Sequence, residues 1–133
     1  MCASFRNDAL RRTNLFYINQ GNDKNGIPVF KEQAAAYGVA DTGLSTQAYF
    51  FDYDKDGDLD MYLLNHRLYS HTANNLELKD TSGNSPAQDK LYRNDGIPPG
   101  QSHPLFHEIS KQAGIQEYGS GLGVVIRDVK QDN

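Results

Sequence analysis

The chain has 133 residues, 38% hydrophobic and 23% charged, which describes one small globular unit rather than a disordered tail or a multidomain enzyme. No apolar run approaches the roughly 18–20 residues of a membrane-spanning helix, and Met1 to Arg6 carry no apolar signal core. The single cysteine, Cys2, excludes an internal disulfide framework and a cysteine-rich zinc site. The net charge of −4 is local: residues 52–60 hold five aspartates against one lysine, leaving twelve acidic and twelve basic residues elsewhere. With no basic surplus, nucleic acid and anionic lipid are disfavoured as partners.

In chain order, residues 1–13 read as an N-terminal extension. Leu15 to Ile18 is a short apolar and aromatic run ended by Asn19-Gln20-Gly21, which predicts a strand and a hairpin-type turn. A second brief strand follows around Val29–Lys31. Gln33–Tyr37 has room for one helical turn, with Gly38 placed for a left-handed cap. Thr46–Phe51 is apolar enough for a strand buried on both faces, and another apolar run, Leu59–Leu64, follows the aspartates. Residues 67–88 are polar, rich in Asn, Ser and Asp, and read as a loop insertion.

From residue 89 the first pattern returns. Tyr17, Asn19 and Gly21 recur as Tyr92, Asn94 and Gly96, at an offset of 75. Phe30-Lys31-Glu32 recurs as Phe106-His107-Glu108 at an offset of 76, as do Gly38-Val39 in Gly114-Ile115 and Asp52 in Asp128. Four blocks in one order read as a tandem repeat. Strands are expected again at Leu91–Tyr92, Leu105–His107 and Gly123–Arg127, with a helical turn over Ser110–Ala113. Short strands, dense turn signals and no sustained amphipathic helix predict an all-β fold.

The functional signal is Asp52-Tyr53-Asp54-Lys55-Asp56-Gly57-Asp58-Leu59-Asp60. Carboxylates at positions 1, 3, 5 and 9 with glycine at 6 form a calcium-loop pattern, because a chain curling around a hard cation turns alternate side chains inward. Gly57 permits the reversal, and the carbonyl of Asp58 is placed to act as a ligand while its side chain faces water. Like charges about 4 Å apart repel by about 1 kcal/mol even in water, and Lys55 alone cannot offset five carboxylates; a divalent cation reverses the sign. A solvated acidic turn is the plainer alternative. The helical hand class fails, since position 12 is Leu63 and both flanks read as strand. Phe50-Phe51-Asp52-Tyr53-Asp54 also resembles the strand-end Asp-x-Asp of haloacid-dehalogenase-type phosphotransferases, but Asp56 stands where that motif wants Thr or Val. In the second copy Asp128 and Asp132 occupy ligand positions 1 and 5, whereas Lys130 replaces the ligand at position 3, so no competent second site is expected.

These residues resemble the FG-GAP/VCBS family of repeats, particularly the bacterial proteins that also carry an ASPIC and UnbV domain. The likeness runs over Asn14–Asn65 and Asp89–Asn133, and is carried by Leu15 to Gly21, Phe30-Lys31-Glu32, Gly38-Val39-Ala40 and Phe51 to Asp60. It divides the chain into an extension (1–13), repeat 1 (14–66) with its calcium loop at 52–60, an insertion (67–88) and a truncated repeat 2 (89–133). The resemblance implies antiparallel β-propeller blades similar to the integrin α-subunit head. It also implies Ca2+ held through Asp52, Asp54, Asp56 and Asp60 side chains and the Asp58 carbonyl. Propellers close with about four to eight blades, so two repeats read as a fragment of a larger propeller or as a unit that associates with copies of itself.

The same resemblance implies a secreted or cell-surface binding or adhesion scaffold, with a protein or carbohydrate ligand that the residues do not identify. The alternative is an accessory segment of a metal-dependent hydrolase or phosphotransferase, or that enzyme itself, using the Asp52-x-Asp54 pair. No Ser-His-Asp spacing, nucleophile elbow or Walker-type loop supports local catalysis. Gly119 to Gly123 precedes a strand-like run rather than opening a helix, which disfavours a dinucleotide site. His66, His71, His103 and His107 have no metal-ligand spacing.

Overall fold

The computed structural model describes residues 8–66, 85–115 and 123–127. Its elements are a 3-10 turn (Ala9–Arg12), β1 (Tyr17–Asn22), β2 (Pro28–Glu32), a one-turn helix α1 (Ala34–Tyr37), β3 (Ser45–Phe51), β4 (Asp60–Asn65), β5 (Lys90–Asn94) and β6 (Phe106–Glu108). β1 and β2 form a two-stranded sheet. β3, β4, β5 and β6 form a four-stranded one in that order, with every pairing antiparallel. The fold is β-rich, as the strand-and-turn pattern predicts.

The core lies where the segment around α1 meets one face of the four-stranded sheet. Alternation on β4 turns Met61 and Leu63 to that face, β5 and β6 add Tyr92 and Phe106, and Ala34 and Val39 cover them. Phe16, Tyr37 and Ala40 pack at its margin, with the Phe16 and Tyr37 rings edge to face at 5.3 Å. The placement of α1 depends on Gly38. Its φ of +77° suits a residue without Cβ, and a Cβ there would stand 2.5 Å from the Phe106 carbonyl oxygen.

The two hairpins are built alike. Tyr17 pairs with Glu32 and Asn19 with Phe30, as Tyr92 pairs with Glu108 and Asn94 with Phe106. Gln33 N–H donates to the Phe16 carbonyl and Ile109 N–H to that of Leu91, both at 2.8 Å. Val39 N–H reaches Ala34 O (2.9 Å) where Ile115 N–H reaches Ser110 O (2.8 Å). The Glu32 carboxylate accepts from Ala34 N–H (2.7 Å) and that of Glu108 from Ser110 N–H (2.8 Å). Asn19 and Asn94 side chains accept from Gly21 and Gly96 N–H. Each bond of the first set has its counterpart 75 or 76 residues on.

Buried polar contacts join the layers. Asp41, almost fully buried, forms an ion pair with Lys90 of β5 and accepts from Gly43 N–H at 2.8 Å. Burial first, then the negative charges of Asp41 and Glu108, pushes the Tyr92 phenol far above its ordinary range.

Three expectations need correction. Asn19-Gln20-Gly21 does not reverse the chain: the Asn19 side chain folds onto Gly21 N–H, giving an irregular register between Asn19 and Asn22. The strand runs on, and the reversal falls at Asp23–Gly26, where the Asp23 carboxylate accepts from Asn25 and Ile27 N–H. Second, β3 is not buried on both faces. Thr46, Gln47, Ala48 and Phe50 are exposed because β3 pairs only with β4 and lies at the edge of its sheet. Third, residues 123–127 form no strand, and Val125 is 93% exposed. Most of the 67–88 insertion lies outside the described residues, but its end is packed: Ser85, Ala87 and Gln88 are buried, and Pro86 O accepts from Leu44 N–H.

Candidate metal centre

The aspartate loop joins β3 to β4, and the Phe51–Asp60 register pair closes its base. Two residues bend it with positive φ, Lys55 at 63° and Gly57 at 94°. Side-chain to backbone bonds then set its shape. Asp52 Oδ2 accepts from Gly57 N–H at 3.1 Å, and Asp56 Oδ1 accepts from Asp58 N–H at 2.8 Å. The second is an Asx turn, which a short carboxylate side chain makes with backbone two residues ahead, and the first closes the loop across five residues.

Asp60 is the anchor. It is 0% exposed, yet both of its oxygens are engaged: Oδ2 accepts from Tyr53 N–H at 2.6 Å and Oδ1 from Asn94 N–H at 2.8 Å. Asn94 also reaches Leu59 O through its side-chain amide at 3.3 Å. The loop is thereby tied to β5, which sits beside β4 in the sheet.

Asp52, Asp54 and Asp60 each bring a carboxylate oxygen to within 4.8 Å of the other two. Calcium binds oxygens at about 2.3–2.6 Å, so two ligands of one ion lie at most about 5 Å apart. The three oxygens satisfy that limit, and a trio of hard anionic donors suits an alkaline-earth ion. Asp56 and Asp58 stand outside the trio. Asp56 directs one oxygen to its own loop backbone, and Asp58 Oδ2 faces Gly96.

The electrostatics favour a cation. Desolvation within the loop, then the charges of Asp56 and Asp60, hold the Asp54 carboxyl above its ordinary value, against a bond from Asp56 N–H and the positive charge of Arg93. Arg93 is oriented by Asp95, whose Oδ1 lies 2.6 Å from its Nε, and this hydrogen bond is the first cause of its raised value. Asp54 and Asp60 add smaller contributions. Arg93 is therefore the protein's own counter-charge beside the trio.

No protein-family model, curated protein or solved structure matches the chain significantly.

Other predicted features fall elsewhere. Asp128 and Asp132 lie outside the described residues, as do Cys2, His71 and Gly119 to Leu122. His103 stacks on Tyr37 at 4.7 Å, and His107 Nε2 lies 3.5 Å from Asp95. An apolar groove of about 100 Å³ runs between Leu15–Phe16 and the β3–β4 face, and a polar hollow of about 260 Å³ lies around Arg12, Thr42, Lys90 and Glu108. Neither is lined by the loop aspartates. The links from Asp60 to Asn94 and from Arg93 to the trio escape sequence reasoning because they cross strands 33 or more residues apart. The one trace is that Asn94 belongs to the recurring Asn-x-Gly block.

Proposed function

We propose that this chain is a calcium-binding segment of FG-GAP/VCBS-like repeats, whose sheets are β-propeller-type blades of an extracellular or cell-surface binding scaffold. The observation that carries the reading is the convergence of Asp52, Asp54 and Asp60 oxygens within 4.8 Å at a strand-to-strand connection. The matching hydrogen bonds of the two hairpins support the repeat reading, and the four-stranded antiparallel sheet is compatible with a blade.

In this role the ion neutralises the loop and stiffens the β3–β4 connection, and through Asp60 and Asn94 it stabilises the adjoining β5. Partner recognition by a protein or carbohydrate ligand then falls to loops held by the sheets. The phosphotransferase alternative requires a parallel sheet behind its nucleophile, and all the described pairings are antiparallel.

Thermal melts in calcium, magnesium and chelator test the reading. Calcium at 100 times its dissociation constant is expected to add about 2.7 kcal/mol by mass action, and Asp52→Asn is expected to lose most of that increment. A wild-type melt that is the same in calcium and chelator overturns the proposal.

A further inference from the structure

The aspartate loop abuts the β5–β6 hairpin, and one basic residue of that hairpin stands beside it. Met61 pairs with Tyr92 in the β4–β5 register, so the next step toward the loop sets Asp60 opposite Arg93. Met61 and Tyr92 belong to the core, and side chains alternate along a strand, so Asp60 and Arg93 share the other face. The contact continues at the next residue: Asn94 N–H donates to Asp60 Oδ1 at 2.8 Å, and the Asn94 side chain to Leu59 O at 3.3 Å.

Among the described residues, Arg93 nevertheless forms no ion pair with the loop. Its partner is Asp95, two residues on in the same hairpin, whose Oδ1 lies 2.6 Å from Arg93 Nε. The other Asp95 oxygen lies 3.5 Å from Nε2 of His107, which pairs with Arg93 across β6. The guanidinium is thus fastened to its own hairpin, beside the trio and outside it. Both oxygens of Asp60 are taken by N–H groups, whereas Asp54 is exposed. A released guanidinium therefore has Asp54 as its first available carboxylate, and the planar fork suits that partner. The charges already sense each other across the gap: the Asp54 carboxyl, raised by desolvation and then by Asp56 and Asp60, is lowered in part by Arg93.

We propose that Arg93 sets the calcium affinity of the loop as a rival positive charge, and that Asp95 is a positioning residue that holds it off the trio. The inference rests on the calcium reading of Asp52, Asp54 and Asp60. A fixed positive charge beside the trio repels an incoming divalent ion, and salt screens that repulsion. Removing Arg93 therefore tightens binding. Removing Asp95 acts in the opposite sense, since the freed guanidinium pairs with Asp54 in the ion's place.

Calorimetric titration of the chelator-stripped full chain with calcium chloride, at low and high potassium chloride, tests it. Arg93→Gln is expected to bind calcium about three- to tenfold more tightly than wild type at low salt, with the gap narrowing at high salt. Arg93→Lys, which keeps the charge, is expected to stay close to wild type. Asp95→Asn is expected to bind several-fold more weakly, and to lose most of that effect when Arg93→Gln is also present, because only a neighbouring charge is then removed. A purely structural role for Arg93 gives the reverse, weaker binding in Arg93→Gln with no dependence on salt. Thermal melts in chelator show whether each variant folds, and Arg93→Met replaces Arg93→Gln if the latter melts early. An uncharged residue at 93 that binds no tighter, or an Asp95→Asn effect of equal size with and without Arg93, overturns the proposal and leaves the calcium site standing. A wild type that takes up no calcium overturns both.

Discussion

Asp54 and Asp60 sit in one loop and offer oxygens to one point, yet they have opposite relations to the folded state. Asp60 is buried with two backbone N–H groups directed at it, so it stabilises the fold with or without an ion. Asp54 is exposed, with a carboxyl raised by desolvation and by its acidic neighbours, so its charge is a strain on the loop until a cation arrives. Neutralising each separates the roles. Asp60→Asn is expected to lower stability by about 1–3 kcal/mol in chelator, because an amide NH₂ cannot replace an acceptor facing an N–H. Asp54→Asn is expected to melt no lower than wild type in chelator and to lose the calcium increment. Paired chemical and thermal unfolding with and without calcium reads both. Equal destabilisation by the two substitutions in chelator contradicts this division of labour.

At the scale of elements, β1–β2 and its following turn are held by Glu32. Its carboxylate accepts from Ala34 N–H and Phe16 N–H, in that order of effect, and both hold it below its ordinary value of 4.5. A depressed carboxyl contributes stability that is fully present above its unfolded value and is lost as pH falls through the lower folded value. The stability difference between wild type and Glu32→Gln is therefore expected to be constant above about pH 5 and to shrink as pH drops below 4.5. Denaturant unfolding at stepped pH measures it, and a difference that persists undiminished to pH 2 contradicts the assignment. The elements that sequence reasoning located correctly are those set by local chemistry: the apolar run after the aspartates that becomes β4, and a glycine closing the turn of α1. Those it misplaced depend on distant partners. Asn19-Gln20-Gly21 has the residues of a turn, but Asp23 captures two N–H groups and moves the reversal four residues on. Phe50 is as apolar as a core residue and remains exposed, because its burial depends on what covers β3 rather than on its own character. The site divides in the same way. Spacing brings Asp52, Asp54 and Asp60 into view, while the turning of Asp56 toward Asp58 N–H follows from backbone angles at Lys55 and Gly57 that spacing does not encode.

For the whole molecule, the question is what makes two small sheets unfold together. An isolated two-stranded hairpin is marginal in water, and β1–β2 is exposed along nearly its entire length. Its attachment runs through the segments on either side, Asn14 and Phe16 before it and, after it, the α1 core contacts and the ion pair between Asp41 and Lys90. The pair is asymmetric: the Asp41 side chain is nearly inaccessible, whereas that of Lys90 is 29% exposed. Removing Lys90 leaves a carboxylate buried without its counter-charge, while removing the Asp41 charge leaves an ammonium that still reaches water. Lys90→Met is accordingly expected to cost about 3–5 kcal/mol, and Asp41→Asn, which retains an acceptor for Gly43 N–H, about 1–3 kcal/mol. The double variant is expected to be less damaging than the two costs added, since neither charge then remains to be stranded. If the ion pair is also the fastening between the sheets, Lys90→Met is expected to separate the unfolding of β1–β2 from that of the four-stranded sheet. Hydrogen exchange would then show amides of Tyr17–Asn22 and Val29–Glu32 opening at lower free energy than those of β4 and β5, a gap wider than in wild type. A uniform loss of protection across both sheets would locate the fastening in the α1 core instead.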